Sequence, residues 1–398
     1  MNLIKLVEQF GTPLYAYDLG VIQARIDELF ATVGTYKNTQ FLYAIKANFN
    51  PHIVRNIIAR GCGIDAVSID EVKLGLFCGA AAQDILFTEN NITDEEMHTS
   101  MQLGVLLNIG SLSRLEKFGI AYPGSRVCVR FNPNVGAGSH TTNITGGPES
   151  KFGISFSEVD AVLIIAKKYN LKIVGIHEHI GSGWLQITEP LLALNTTLRL
   201  AHTFPDLEFV DVGGGFGVPY SPEQTRLDLK VLGEKIKARF TNFCTAYGRD
   251  IQLRFEPGRY IVAESGHLLT RVNTIKQSPE GKLFVGSDTG MNHLVRVAMY
   301  DSYHPIVNVS NPNGQTKVYD IVGNICECAD FFARNREMPE IREEDILDIQ
   351  IAGAYGMSMA SHYQFRDLPT EVLVDGENIQ VIRRRESFEE RIKIFDIE

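Results

Sequence analysis

The chain has 398 residues and a formal net charge of −10, because 48 acidic residues outnumber 38 lysines and arginines. This balance argues against nucleic acid or an anionic membrane as the main partner. Hydrophobic residues make up 44% and charged residues 22%, which excludes disordered and fibrous classes, and the length predicts two or three domains. The strongest apolar run, residues 161–166, ends at Lys167 and is far shorter than the roughly 18 residues of a membrane span.

The cysteines and the N-terminal residues indicate where the protein works. Six cysteines at uneven spacing do not form the framework of a disulfide-rich secreted protein. The first residues are typical of an amphipathic helix rather than a signal peptide. We therefore expect a cytoplasmic protein.

Between about residue 40 and residue 256, short apolar runs alternate with segments of helical period. Such repeated units fold either as a closed barrel or as a doubly wound sheet. A count of eight runs and a span of roughly 240 residues favour a TIM-type (β/α)8 barrel. The runs are 41–45, 63–67, 84–87, 105–108, 127–130, 173–176, 209–212 and 253–256, and helical segments include 157–169, 190–202 and 225–247.

After Gly258 the pattern changes to strands that alternate with turns, such as 269–276, 316–322 and 371–375. This pattern predicts a second, mainly antiparallel β domain. We therefore divide the chain into a barrel at 25–265 and a C-terminal β domain at 266–398, with an N-terminal segment at 1–24 that contributes to the β domain.

Catalytic groups of a barrel lie where its strands end, and the first run ends at Lys46. A lysine among apolar and small residues is unusual because an unpaired buried ammonium is costly. Desolvation would lower its pKa and free the neutral amine for Schiff-base chemistry. Taken alone, such a lysine can also extend its amine into solvent.

The seventh run leads into three consecutive glycines, Gly213, Gly214 and Gly215. Their exposed N–H groups suit a phosphate held by a barrel loop. Val218 stands where a dinucleotide fingerprint needs its last glycine, so a Rossmann site is disfavoured. A flexible turn is the less favoured alternative.

The eighth run ends at Glu256, with Arg259 three residues later. A carboxylate at this position suits a protonated ring nitrogen, and the arginine suits a phosphate or a carboxylate. For so short a motif, a surface ion pair between the two residues is about as common as a binding site.

The sixth run ends in a His-x-His motif, His177 and His179, followed by Ser182. Two histidines with this spacing are compatible with a metal site. However, the neighbouring sequence offers no thiolate and no third histidine, so we expect no metal. A ring of His179 stacked on a planar cofactor, with Ser182 reaching a phosphate, fits the motif better.

Together these strand ends make the chain resemble a known family, the alanine-racemase-like barrel enzymes that use pyridoxal 5′-phosphate (PLP), and in particular the diaminopimelate decarboxylases. The resemblance covers almost the whole chain. Besides the four barrel motifs, it rests on the segments 11–18, 145–153, 291–300, 323–330, 353–356 and 382–390.

The resemblance implies how the cofactor is held. Lys46 would bind PLP covalently, His179 would stack on its ring and take part in catalysis, and Glu256 would keep the pyridine nitrogen protonated, so that the ring acts as an electron sink. The phosphate would be bound by a set of donors: Ser182, Gly213, Gly214, Gly215, Arg259 and Tyr355.

The resemblance also implies how the substrate is bound. Arg259, Arg296 and Tyr300 match positions that hold a distal carboxylate, with Tyr355 close to the substrate. Cys326 would donate a proton at the partner subunit's cofactor, and Glu327 would face the distal amino group. Such a site needs two chains, so the resemblance implies a homodimer that acts on a small amino acid, without nucleic acid or membrane.

The implied reaction is decarboxylation of meso-2,6-diaminopimelate at its D-configured centre, which releases L-lysine and CO2 as the last step of lysine biosynthesis. One departure concerns the acid. The family pattern Pro-x-Cys-Glu-Ser-Gly-Asp is here the segment 324–330, in which Cys328 adds a second thiol. If this segment is extended, both thiols share one strand face, and which of them acts stays open.

Three alternatives remain. A related decarboxylase could act on another D- or basic amino acid or on a natural-product intermediate, but Arg296 and Tyr300 would face an empty pocket if that substrate lacked a distal carboxylate. An alanine racemase would need a tyrosine in place of Cys326. A non-catalytic PLP-binding barrel protein would end after the barrel, whereas this chain continues into a β domain.

Overall fold

The structure is a computed structural model that describes residues 1–140 and 144–395. It divides into two compact units. The β unit comprises Met1–Ile22, Tyr220–Gln224 and Val262–Glu398, and the barrel unit comprises Gln23–Pro219 and Thr225–Ile261. The domain limits drawn from the sequence stay predictions, and the structure differs from them by assigning residues 220–224 to the β unit.

The described residues contain eighteen strands and twelve α-helices. The strands are β1 (Leu14–Asp18), β2 (Thr39–Ala44), β3 (Gly63–Ala66), β4 (Ile85–Thr88), β5 (Leu106–Ile109), β6 (Arg126–Asn132), β7 (Ile154–Ser155), β8 (Lys172–His177), β9 (Phe209–Asp211), β10 (Gln252–Phe255), β11 (Gly266–Gln277), β12 (Leu283–Ser287), β13 (Ile306–Asn308), β14 (Thr316–Val322), β15 (Phe331–Pro339), β16 (Ile346–Ile349), β17 (Thr370–Asp375) and β18 (Asn378–Arg383). The helices are α1 (Leu3–Phe10), α2 (Leu19–Thr32), α3 (Pro51–Ala59), α4 (Ile69–Phe77), α5 (Asp94–Gln102), α6 (Leu112–Ala121), α7 (Val159–Lys168), α8 (Thr188–Ala201), α9 (Leu229–Tyr247), α10 (Arg259–Val262), α11 (Arg296–Tyr300) and α12 (Phe388–Ile392).

Eight parallel strands of the barrel unit form a closed sheet in the order β2-β3-β4-β5-β6-β8-β9-β10, and β10 pairs with β2. Strand β7 adds two residues beside β6. Each of the eight apolar runs forms one of these strands, so the predicted barrel is confirmed. The helical segments at 157–169, 190–202 and 225–247 form α7, α8 and α9.

Capping residues set the ends of the helices between the strands. Helix α4 begins after Ser68, whose hydroxyl accepts a hydrogen bond from the amide of Glu71 at 3.1 Å. Helix α5 begins with a reciprocal capping box between Thr93 and Glu96. Helix α9 ends at Gly248, which adopts the left-handed conformation with φ of 80°. These local signals keep each helix short enough to return the chain to the next parallel strand.

Apolar side chains fill the barrel interior. One buried cluster joins Leu42, Leu86, Cys128, Val174 and Phe209, which come from five different strands. Next to it, a Cβ atom at position 175 would lie 2.0 Å from the Phe209 ring, so the strand needs glycine there. Because the interior is packed, polar groups of the barrel gather at the carboxyl ends of its strands.

The β unit is built on nine strands with the order β15-β14-β12-β11-β1-β17-β18, while β16 pairs with β11 and β13. All of its pairs are antiparallel except β1–β17 and β12–β14. Strand β1, near the N-terminus, lies between β11 and β17. The predicted combination of a barrel with a mainly antiparallel β domain is therefore confirmed.

The core of the β unit includes Leu6 and Val7 of α1, packed with Leu14, Leu269 and Val372. The N-terminal helix and strand thus belong to the same core as strands from the C-terminal part of the chain. Within residues 1–140 and 144–395, none of the helices has both the length and the apolar character needed to cross a membrane.

Candidate active site

Lys46 lies in a short 3₁₀ turn, Ile45–Ala47, directly after β2. Its Nζ atom is 2.9 Å from Oδ2 of Asp65, a residue of β3 whose side chain is only 1% exposed. The lysine therefore has an anionic partner at the barrel end, and its amine is not simply extended into solvent. Sequence reasoning did not find this partner.

Glu256 follows β10 and is buried together with His177 at the end of β8. The two side chains share a hydrogen bond of 3.0 Å between Nε2 of His177 and Oε2 of Glu256. Burial lowers the pKa of His177 to about 4, so its ring is neutral at neutral pH. The other carboxylate oxygen, Oε1 of Glu256, is buried without a hydrogen-bond partner among the described residues.

Burial raises the pKa of Glu256 well above its ordinary value, and the nearby carboxylate of Asp65 adds to this effect. Burial, and then the charge of Glu256, raise the pKa of Asp211 to about 8. A cationic N–H donor placed at Oε1 of Glu256 would remove much of this penalty and satisfy the oxygen. This oxygen therefore suits a protonated ring nitrogen.

Ligand atoms of His177, Asp211 and Glu256 lie within 4.8 Å of one another. Histidine and carboxylate side chains at this spacing are also compatible with a metal ion. The group differs from the His-x-His pair weighed in the sequence, because His179 is not part of it. The expectation that the protein needs no metal stays a prediction.

The glycine loop holds His179 in place. The amide of Gly214 donates to Nδ1 of His179 at 3.1 Å, which puts the ring hydrogen on Nε2. Burial, and then the charge of Arg130, lower the pKa of His179 well below its ordinary value, so the ring is neutral. A neutral, fixed imidazole suits stacking on a planar ring.

Glycine is required in this loop. Gly213 and Gly215 have φ of 66° and 100°, and a Cβ atom at Gly214 would lie 2.0 Å from the backbone oxygen of Glu256. Two of the three amides are already engaged, since Gly213 donates to Oδ1 of Asp211 at 2.9 Å and Gly214 to His179. That all three amides bind a phosphate stays a prediction. Gly213 and Gly214 would have to give up these hydrogen bonds to bind it, whereas Gly215 takes part in neither of them as a donor.

Trp184 packs across the same loop. Its amide donates to the backbone oxygen of Gly215 at 3.1 Å, and its own carbonyl accepts from Gly217 at 2.9 Å. The indole is tilted against Phe216 at 5.0 Å between ring centroids. Its Nε1 atom is buried without a hydrogen-bond partner among the described residues. The loop is therefore covered by a large aromatic side chain.

Arg259 and Ser182 lie together in the barrel unit. Nη2 of Arg259 is 3.0 Å from Oγ of Ser182, and the arginine is buried at the start of α10. Since both Glu256 and Arg259 are buried, the alternative of a surface ion pair between them is wrong. A guanidinium beside a hydroxyl group is a suitable receptor for an anion.

Sequence reasoning missed three charged residues of this site: Asp65 in β3, Arg130 in β6 and Asp211 in β9. Burial lowers the pKa of Arg130, while the charge of Glu256 acts in the opposite direction. Each residue interrupts a short apolar run of a parallel strand that is buried on both faces. A charge in such a run is the signal that could have identified them.

The remaining predicted residues lie in the β unit. Arg296 begins α11 and is buried, while Tyr300 at the end of this helix is half-buried. Tyr355 is half-buried between β16 and β17, with φ of 56°. Their predicted roles in substrate and phosphate binding stay predictions.

Cys326, Glu327 and Cys328 are exposed in the turn between β14 and β15. The amide of Glu327 donates to the backbone oxygen of Ile325 at 2.8 Å, so the segment is turned rather than extended. The idea that both thiols share one strand face is therefore wrong. The Glu327 carboxylate accepts a short hydrogen bond from the hydroxyl of Tyr363, a residue that the sequence did not single out.

Comparison with known proteins shows the family of the chain. The pyridoxal binding domain of the pyridoxal-dependent decarboxylases matches residues 19–263. The diaminopimelate decarboxylase of Methanothermobacter thermautotrophicus is 42% identical over an alignment of 401 positions, which covers 98% of this chain and 93% of that protein. The diaminopimelate decarboxylase of Aquifex aeolicus is 34% identical, with 98% and 93% covered.

A solved structure is similar over the same length. Diaminopimelate decarboxylase from Helicobacter pylori, complexed with L-lysine, matches with a TM-score of 0.89 at 33% identity, and the match covers 99% of each chain. The similarity thus extends over both units and not over the barrel alone. The chain therefore belongs to the diaminopimelate decarboxylase family of pyridoxal-dependent decarboxylases.

Proposed function

We propose that this protein catalyses the PLP-dependent decarboxylation of meso-2,6-diaminopimelate at its D-configured centre, giving L-lysine and CO2 as the last step of lysine biosynthesis. The observation that carries the proposal is the group of residues at the strand ends of the barrel, in which a lysine amine and a buried, unsatisfied carboxylate oxygen accompany a glycine loop. The relatives that share this fold over their whole length bear the name of this activity.

The residues of the barrel unit fit the cofactor. Lys46 would hold its aldehyde carbon, Oε1 of Glu256 would accept the N–H of its ring, and Arg259 with Ser182 would bind its phosphate. When bound, PLP supplies an electron sink that stabilises the carbanion left by the loss of CO2. The protein supplies orientation and electrostatics around it.

The neighbouring groups give each barrel residue a defined task. Asp65 holds the Lys46 amine at 2.9 Å and thereby orients Nζ. The neutral His177 fixes Oε2 of Glu256, so that Oε1 would be the oxygen that accepts from the ring nitrogen. The neutral ring of His179, anchored by Gly214, would cover one face of the cofactor and exclude water from it.

The residues of the β unit would recognise the substrate and complete the reaction. Arg296 and Tyr300, together with Arg259, would hold the carboxylate at the far end of diaminopimelate, and Glu327 its distal amino group. Sγ of Cys326 would donate the proton that replaces CO2.

We further propose a homodimer in which Cys326 and Glu327 serve the active site of the partner subunit. Cys326, Glu327 and Tyr363 are exposed in the single chain, which supports an arrangement in which a second copy covers them. We also propose a cytoplasmic location, supported by cysteines that are all free, including two exposed thiols.

The proposed reaction is tested by supplying purified protein and PLP separately with meso-diaminopimelate, D-lysine or D-ornithine. CO2 release and product identity are measured for each substrate. We expect efficient release from meso-diaminopimelate, with L-lysine as the product. A preference for D-lysine or D-ornithine, which lack a distal carboxylate, would reject this substrate and favour a decarboxylase of a basic D-amino acid.

A further inference from the structure

Three side chains of the β unit surround the guanidinium of Arg296. The Tyr220 ring lies beneath it, with 4.5 Å between the guanidinium carbon and the ring centroid. Nη1 is 3.2 Å from Nε2 of His304, and Nη2 is 3.4 Å from Oγ of Ser302. Arg296 is 4% exposed and His304 is fully buried. The arginine thus has one face and two edges in contact with neighbouring groups.

The hydrogen bonds of His304 define its tautomer. Nδ1 lies 2.8 Å from the backbone oxygen of Gln350, which can only accept, so Nδ1 carries the hydrogen. In the neutral ring, Nε2 then has a lone pair that accepts from Arg296. The Tyr220 ring meets the His304 ring edge to face at 5.3 Å, which fixes its plane.

The side chains that make these three contacts with Arg296 are themselves uncharged. A ring face and a neutral nitrogen attract a guanidinium without neutralising its charge, unlike a carboxylate at the same position. The planar guanidinium is thereby held in one plane, and bidentate binding of a carboxylate depends strongly on that plane. A guanidinium held in one plane is oriented for bidentate contact with a substrate carboxylate.

We propose that His304 and Tyr220 are positioning residues that set the preference of this enzyme for substrates with a second carboxylate. They act through Arg296, and the inference therefore rests on the proposed role of Arg296 in binding that carboxylate. Tyr220 belongs to the short segment 220–224 that the barrel sequence contributes to the β unit, which gives this excursion of the chain a function.

The test uses the PLP-loaded enzyme and compares kcat/KM for meso-diaminopimelate with kcat/KM for D-lysine, which lacks the distal carboxylate. If D-lysine turns over too slowly, its inhibition constant against meso-diaminopimelate replaces its kcat/KM. We expect His304→Phe to raise KM for meso-diaminopimelate about tenfold or more, with kcat changed less than about threefold and D-lysine little affected. We expect Tyr220→Leu to raise this KM about fivefold.

Conservative variants separate positioning from general damage. His304→Gln keeps an acceptor for Arg296, so it should keep most of the substrate preference that His304→Phe loses. Tyr220→Phe keeps the ring face, so it should keep most of the preference that Tyr220→Leu loses. Melting temperature and the visible absorbance of bound PLP verify that each variant is folded and loaded. Equal losses of kcat/KM for both substrates would mean a structural role and would overturn the inference.

Arg296→Lys tells the inference apart from the proposed function. If this variant keeps the wild-type preference for meso-diaminopimelate, the proposed role of Arg296 is wrong, and the inference falls with it. If Arg296→Lys loses the preference but His304→Phe and Tyr220→Leu keep it, the inference alone is wrong. Loss of the preference in all three variants supports both.

Discussion

The barrel unit and the β unit carry functional groups in opposite surroundings. In the barrel, Glu256, His177 and Asp211 are buried, and burial shifts the pKa of each. In the β unit, Cys326 and Glu327 are exposed on a turn. Burial suits groups that must hold a cofactor in one orientation, whereas exposed groups on a turn suit a surface that closes around the substrate of a second subunit. The following changes test this contrast.

The largest effect is expected from Lys46→Ala in the barrel. Without the amine, the protein should lose the visible absorbance of covalently held PLP on dialysis, and activity should fall by roughly 10⁴-fold or more. Absorbance spectra before and after dialysis, with CO2 release, are the measurement. A band that survives dialysis would show that another group anchors the cofactor.

Cys326→Ala and Cys328→Ala compare the two exposed thiols. Loss of a proton donor should cost about 10²-fold or more in kcat for Cys326→Ala, while Cys328→Ala should lose less than about tenfold and both keep PLP. Mixed subunits sharpen the test. If sites are shared, an equal mixture of the inactive Lys46→Ala and Cys326→Ala proteins should regain about a quarter of the wild-type activity after exchange. No recovery in demonstrably mixed dimers would contradict the shared site.

Glu178→Gln tests the effect of burial in the barrel. Burial raises the pKa of Glu178 to about 8, and the Thr197 hydroxyl donates to this carboxyl group. The unfolded chain releases the proton near the ordinary value of 4.5, whereas the folded chain keeps it up to about pH 8. The wild-type stability should therefore fall as the pH rises through this window, because the unfolded state binds fewer protons there.

In Glu178→Gln this fall in stability should disappear. The free energy of unfolding of the variant should exceed that of the wild type by roughly 2–4 kcal/mol at pH 8 and match it near pH 5. Urea unfolding across this range is the measurement. Glu116→Gln is the matched control, because the ammonium of Lys168 lowers the pKa of the half-buried Glu116 carboxylate. The substitution Glu116→Gln should slightly lower the free energy of unfolding at pH 8, whereas Glu178→Gln should raise it. If the stability of Glu178→Gln still falls with rising pH as that of the wild type does, groups other than Glu178 cause the fall.

The smallest effect is expected from Tyr363→Phe in the β unit. The Tyr363 hydroxyl donates to the Glu327 carboxylate, so its removal should leave Glu327 less well oriented. We expect KM for meso-diaminopimelate to rise about threefold with kcat unchanged. A fall in kcat instead would mean that Tyr363 takes part in the chemical step rather than in binding.

Much of the fold follows from local patterns. The eight short runs were identifiable as strands because apolar runs of this length, bounded by turns, are typical of buried strands. Their number indicated a closed barrel. Lys46, Glu256 and Arg259 were identifiable by their place at strand ends. The roles of Cys326, Glu327 and Tyr355 came from family resemblance alone.

The partners of these residues were not accessible from the sequence. Asp65 reaches Lys46 from the next strand, and His177 reaches Glu256 from β8, two strands away from β10, so each pair is a property of strand order and register. The turn at Cys326 is set by backbone hydrogen bonds, which the residue types of this segment do not predict. Likewise, the engagement of Gly213 by Asp211 depends on the curvature of the loop.

Trp184 is the sole tryptophan of the protein, and its indole rests on the glycine loop. Tryptophan fluorescence of the unlabelled enzyme therefore originates beside this glycine loop, the predicted phosphate site. Bound PLP absorbs where indole emits, so loading should quench this emission by energy transfer. Titration of the cofactor can thus be followed optically in real time, without a substrate and without a label.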